Sequence, residues 1–131
     1  MSHYNYDRGL LAEKIINTCD TSQPEPEYLR TPADLAGYVQ SWKISLAQPP
    51  DDHDLAEVLV IRRRLRSVFE AHDMAIAAGI LNELLEGVRV RPHVGLTSGG
   101  SIKLALDVDE DLPLASRLGA EAALGLSAAL A

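Results

Sequence analysis

The stretch from Asp51 to Glu70, DDHDLAEVLVIRRRLRSVFE, constrains the fold more than any other part of the chain. At about 100° per residue, Leu55, Val58, Ile61, Leu65, Val68 and Phe69 share one broad stripe, the pattern of a helix laid on a core. Arg62 lies inside that stripe, Arg66 at its margin, and Arg63 and Arg64 point away from it. A guanidinium keeps its proton, so an arginine drawn to the edge of a core needs a carboxylate, a set of carbonyls or an anionic ligand. That need is the sharpest chemical constraint in the sequence.

The segments before this helix also read as helical. Residues 1–8 are polar and form a loose terminus, after which Leu11, Ile15 and Thr18 fall on one face with Ala12, Ile16 and Cys19 beside it. This predicts a helix from about Leu10 to Thr18, closed by Asn17, which tolerates the left-handed conformation, and by Thr18 and Asp20, which bond nearby backbone. TSQPEPEYLR, with two prolines, is a connection. Thr31, Pro32 and Asp34 then place a hydroxyl cap, a first-turn proline and an acid at the start of a second helix, expected to run to Trp42. Leu35, Tyr38, Val39 and Trp42 share its inner face, where aromatic packing is the expectation and a ligand cage the alternative.

Beyond the Asp51–Glu70 helix, a stop at residues 71–73 precedes a pattern that turns Met74, Ala77, Leu81, Leu84 and Leu85 inward, with Gly87 ending it. So short a connection makes the two helices antiparallel neighbours. The period then changes to two. Val88, Val90, Val94 and Leu96, then Ile102, Leu104, Leu106 and Val108, alternate with polar positions around GLTSGGS, which predicts a β-hairpin with its apolar face on the helices. Pro92 makes the first strand an edge or interrupts it. The glycine loop lacks the lysine and following helix of a phosphate cradle and reads as a turn. Pro113 opens a last helix rich in Ala and Gly, expected to be buried in the domain or in a dimer contact. That helix pattern continues to the final residue, which implies a following segment. The expected fold class is α+β, mainly helical, with about five helices and one antiparallel hairpin packed on them.

A chain of 131 residues with 47% hydrophobic content fits one domain with a real core. The net charge of −7 argues against a duplex-binding surface spread over these residues, since DNA affinity rests on Lys and Arg neutralising phosphates. Cys19 is the sole cysteine, which excludes an internal disulfide and suits a reducing cytoplasm. No apolar run approaches a membrane span or a signal core, so no membrane partner is expected.

His3, His53, His72 and His93 have no metal-ligand spacing, and no nucleophile–base motif is present. Catalytic and metal roles are therefore not expected, and no cofactor is expected in this domain. The four arginines of IRRRLR point in three directions, which describes a solvated face with one anchored side chain better than a nucleic-acid patch. The group that could bind something is Arg62 with Asn17 and Thr18 at the polar end of the first helix, and Arg66 and Tyr38 as further candidates. A carboxylate within the chain, such as Glu13 or Asp20, is the equally open alternative for Arg62.

Taken together, IINTCD, YLRTPADLAGYV, IRRRLRSVF and AIAAGILNELL, followed by the hairpin and the alanine-rich helix, resemble the ABATE domain of proposed stress-induced transcription regulators. In that family an Asn-Thr pair closes the first helix, Thr-Pro-x-x-Leu opens the second and Leu-Arg-x-x-Leu-Arg marks the third. These fall on Asn17 and Thr18, on Thr31, Pro32 and Leu35, and on Ile61, Arg62, Leu65 and Arg66. Ile61 and Tyr38, the latter where a tryptophan is usual, depart from the pattern. The resemblance implies an N-terminal regulatory domain whose DNA contact comes only from a C-terminal zinc finger with a Cys-Gly-Asn-Arg signature, and these residues do not contain that finger.

Two functions follow as expectations. One is a sensor in which Arg62, Asn17 and Thr18 bind a small anionic effector. The other is a homodimerisation module without ligand, with the last helix or the hairpin edge as interface.

Overall fold

The computed structural model describes residues 11–130; the loose terminus expected at residues 1–8 and the expected helix start at Leu10 lie outside them. The elements are α1, described over residues 11–16, then α2 (Pro32–Ser41), α3 (Asp52–Glu70), α4 (Met74–Leu85), β1 (Val90–Leu96), β2 (Ile102–Val108) and α5 (Leu114–Leu130). The α+β class, mainly helical with one antiparallel hairpin, is as the sequence predicts. Among the described residues no helix is long and apolar enough to cross a membrane.

Capping chemistry fixes where the helices start. Thr31 Oγ1 accepts the Asp34 N–H at 3.1 Å while the Asp34 carboxylate accepts the Thr31 N–H at 3.1 Å, and Asp51 and Asp54 form the same reciprocal box at 2.8 and 3.0 Å. Asp73 caps α4 alone, accepting the Ile76 N–H at 2.9 Å. The end of α2 closes differently. Ile44 N–H reaches back to the Val39 carbonyl and Lys43 N–H to that of Gln40, a Schellman motif that puts Lys43 at φ 61°, where glycine is the usual residue.

α5 lies across α3 and α4, α3 packs on α4, and α2 packs on α3. Leu118, Ala120, Ala122 and Ala123 of α5 are fully buried, as are Val58 and Leu65 of α3, Leu35 and Val39 of α2, and Ile15 of α1. Small residues let these helices approach closely. A methyl group on Gly119 would sit 3.1 Å from Ile61 Cδ1 and 3.4 Å from Leu84 Cδ2. Nine residues of α5 are buried inside the domain, so its small-residue face is consumed by α3 and α4 and is not the dimer contact offered as an alternative.

β1 and β2 pair in the register Val90↔Val108 through Leu96↔Ile102. The bonds Asp109 N–H to Arg89 O and Thr97 N–H to Ser101 O put the odd-numbered residues of β1 in the bonded pairs, so Pro92 sits where a missing N–H costs no ladder bond. The loop is a plain turn, closed by Gly100 N–H to Thr97 O with Gly100 at φ 83°.

Three expectations about burial need correction. The outer half of the hairpin's apolar face does not pack on the helices: Val94, Leu96, Ile102 and Leu104 are 60–77% exposed, Val90 and Leu106 are half-buried, only Val108 at the base of that face is buried, and Ala105 is buried on the opposite face. Period-two patterning shows which side chains share a face, whereas the reach of the helical layer decides what is covered, and among the described helices the main contact of β2 is with α5. Phe69 and Met74 are also exposed, at 51% and 63%, because they flank the α3–α4 corner where both helices leave the core.

A lysine in the left-handed region carries a steric cost that glycine avoids. Lys43 is exposed and its side chain makes no bond among the described residues, so Lys43→Gly should raise the unfolding free energy by about 0.5–1 kcal/mol, read by urea denaturation. An unchanged or lower value would contradict this reading of the α2 terminus.

Candidate functional site

The segment between α1 and α2 folds back on itself. Asp20 N–H bonds the Pro26 carbonyl at 2.8 Å, Tyr28 N–H bonds the Thr18 carbonyl at 2.9 Å, and Cys19 and Glu27 form an isolated antiparallel bridge. Asp20 stabilises the bend by accepting the Ser22 hydroxyl and N–H. This pairing carries Glu27 to the end of α1, directly opposite Arg62 on α3. Arg62 Nη1 donates to Glu27 Oε1 at 2.8 Å and to Thr18 Oγ1 at 3.0 Å, and Nη2 donates to Glu27 Oε2. Thr18 Oγ1, itself buried, donates to the Ile15 carbonyl at 2.6 Å, while Glu27 Oε1 also accepts the Leu29 N–H at 3.0 Å.

The Arg62 side chain is 11% exposed and that of Glu27 35%, so a two-pronged, charge-assisted pair is held at the core margin. The hydrogen bonds from Arg62 hold the Glu27 carboxyl below the usual glutamate range against the opposing effect of burial, and the same bonds raise the guanidinium's pKa. The internal partner of Arg62 is thus neither Glu13 nor Asp20 but Glu27. Helical periodicity gives no signal for it, because the loop's pairing with itself delivers the carboxylate. Any anionic effector at Arg62 would have to displace a carboxylate already in place.

One turn further along α3 the situation differs. Arg66, Phe69 and Glu70 of α3 and Glu13, Ile16 and Asn17 of α1 line a cleft of about 370 Å³. Asn17 immediately precedes Thr18, and Arg66 follows Arg62 by four residues, so the cleft and the clamp are consecutive turns of the same helix pair. Among the described residues, the side chains of Glu13, Asn17, Arg66 and Glu70 make no hydrogen bond or ion pair. Ile16 and the half-exposed ring of Phe69 supply apolar wall. The cleft is open: Glu13, Asn17 and Glu70 are exposed with their polar ends facing solvent, as is Phe69, while Arg66 and Ile16 are half-buried.

The candidate residues therefore separate. Thr18 and Arg62 are joined in the clamp, and Asn17 and Arg66 share the cleft. Tyr38 belongs to neither: it packs against the Trp42 ring at 6.0 Å between centroids, next to the core, as the packing expectation has it. Glu70, Phe69 and Ile16 were not singled out as site residues, although the spacing of 62, 66 and 70 on α3 was available to show an i,i+4 line. Arg63 and Arg64 are solvated, and Arg64 is paired with Glu83 at 2.9 Å.

The depressed Glu27 pKa fixes the sign of a pH effect. The unfolded chain binds a proton at about the ordinary value of 4.5 and the folded state only at lower pH, so the pair's stabilisation is complete above 4.5 and is lost as pH falls through the folded value. Unfolding free energy should consequently drop more steeply with acid below pH 4.5 in the native protein than in Glu27→Gln. Parallel curves for the two proteins would show that the pair contributes nothing.

No curated protein matches the chain. The family model for ABATE, described as "Putative stress-induced transcription regulator", matches residues 9–131. The chain belongs to the ABATE family.

Proposed function

We propose that this chain is the effector-binding regulatory domain of a stress-responsive transcription regulator, with the effector held in the α1–α3 cleft. Family membership supports the regulatory part of this reading. The observation that carries the effector part is the convergence on one cleft of four polar side chains, Glu13, Asn17, Arg66 and Glu70, that make no hydrogen bond or ion pair among the described residues. DNA contact belongs to a zinc finger of the kind the resemblance implies, since the net charge of −7 and the scattered arginines of α3 suit no duplex.

A ligand in the cleft would bridge α1 to α3 beside Thr18, where the α1–α2 loop is tied down through Arg62. Effector binding acts on regulation only if its affinity differs between two arrangements of the domain, and the loop hung on this junction is the element positioned to differ. The expected small anionic effector is a poor fit in its simplest form, because Glu13 and Glu70 outnumber Arg66 in the cleft.

Homodimerisation is the second reading, favoured by the exposed Val94, Leu96, Ile102 and Leu104 on one face of the hairpin. It needs no ligand, and a strict monomer in sedimentation at high micromolar concentration would end it.

The effector reading is tested by filling the cleft. Asn17 is exposed, so Asn17→Trp should leave folding intact while its ring occupies the space. In a thermal-shift screen of charged metabolites, a bound ligand should raise the native midpoint and leave the variant's unmoved. A ligand that stabilises both proteins equally, or a regulator carrying Asn17→Trp that still responds normally to stress, would refute a sensor at this place.

A further inference from the structure

We infer that the α1–α3 cleft takes an apolar α-amino acid in its zwitterionic form. This inference rests on the reading of the cleft as the effector site and names the ligand's chemical class. Each helix contributes one group suited to an anion and one suited to a cation. On α3, Arg66 and Glu70 are four residues apart; at the end of α1, Glu13 and Asn17 are four residues apart, with Asn17 N–H bonded to the Glu13 carbonyl at 2.9 Å. Groups spaced in this way stand about 5–6 Å from each other on a helix surface.

That spacing selects among ligands. An α-amino acid carries its carboxylate and ammonium on the same carbon, so it needs an anion-binding and a cation-binding group close together. Arg66 and the carboxamide N–H of Asn17 would donate to the carboxylate, and Glu13 and Glu70 would accept from the ammonium. A simple carboxylate or phosphate satisfies Arg66 but faces two glutamates. A simple amine balances the net charge of the cleft but brings no acceptor for Arg66 or for the carboxamide N–H of Asn17. The zwitterion supplies that acceptor together with donors for the glutamates, and leaves its side chain for Ile16 and Phe69. Phe69, half-exposed near the end of α3, presents its ring to the cleft. The volume of about 370 Å³ sits at the small end of ligand sites, which suits a single amino acid rather than a peptide or nucleotide.

Isothermal titration of the purified protein with L-phenylalanine, L-leucine, 2-phenylethylamine and 3-phenylpropanoate separates the possibilities. One of the two amino acids should bind saturably, and removal of either charged group from the phenyl compound should weaken binding by about tenfold or more. Arg66→Met should abolish the preference for phenylalanine over the amine, and Glu70→Gln should reduce its preference over the propanoate. Thermal unfolding of each variant verifies that it is folded. Tightest binding by 3-phenylpropanoate, lost in Asn17→Trp, would overturn the zwitterion and leave the cleft as an anion sensor. Tightest binding by the amine would likewise overturn it in favour of a cation site. Absence of heat from both amino acids at about 10 mM, where a ligand with Kd near 1 mM is close to saturation, overturns the inference itself. The cleft reading then stands or falls separately on whether another ligand protects the native protein and not Asn17→Trp.

Discussion

The pairing of Arg62 with Glu27 is the contact on which the arrangement around α1 depends. A permanent cation at the edge of an apolar stripe is tolerable only with a partner that satisfies both its charge and its donors. Glu27 supplies two carboxylate oxygens and Thr18 a hydroxyl, and through them the guanidinium joins α3 to the end of α1 and to the doubled-back loop that follows. The loop contributes little apolar area of its own apart from Leu29, which is buried, and whose N–H ends on the same carboxylate. Hydrogen bonding and charge therefore hold the loop where packing does not.

Around that junction the domain divides its labour between packing and polar chemistry. α5 fills the middle with alanine, glycine and leucine, which brings α3 and α4 close enough for Gly119 to touch Ile61 and Leu84. This helical body presents α1 and α3 as two neighbouring walls. One turn of the wall is used up internally by the clamp. Among the described residues the polar groups of the next turn make no hydrogen bond or ion pair, and this difference between neighbouring turns locates the cleft.

Much of this was legible in the sequence, and what was not has identifiable causes. The cap at Thr31, the stop at residues 71–73, the glycine at 87 and the 3.6-residue stripe of α3 are local signals, and the helices start and stop close to where they say. Arg62 could be recognised as a group in need of a partner from its place in the stripe alone. Its partner could not, because Glu27 reaches it through a loop whose backbone pairing leaves no periodic trace. The hairpin shows the converse limit. Alternation identified which residues share a face, but Val94, Leu96, Ile102 and Leu104 stay in solvent because no helix extends that far. Phe69 fails for the same reason at the α3 terminus. The resemblance to ABATE domains rested on Asn17, Thr18, Thr31, Pro32, Leu35, Arg62, Leu65 and Arg66. Among these, Thr18 and Arg62 prove to be bonded to each other, Asn17 and Arg66 share the cleft, and Leu35 and Leu65 are core.

The central claim is that Arg62 serves the fold through Glu27 and leaves ligand chemistry to the turn beyond. A double-mutant cycle on unfolding free energy, built from Arg62→Met, Glu27→Leu and the double variant, measures that claim directly. The account predicts a coupling of at least about 1 kcal/mol, with the double variant more stable than the sum of the single losses implies, since each single change leaves a half-buried charge or donor without its partner. Losses that simply add, within about 0.3–0.5 kcal/mol, would mean that the two side chains meet without depending on each other, and Arg62 would again be a group available for a ligand.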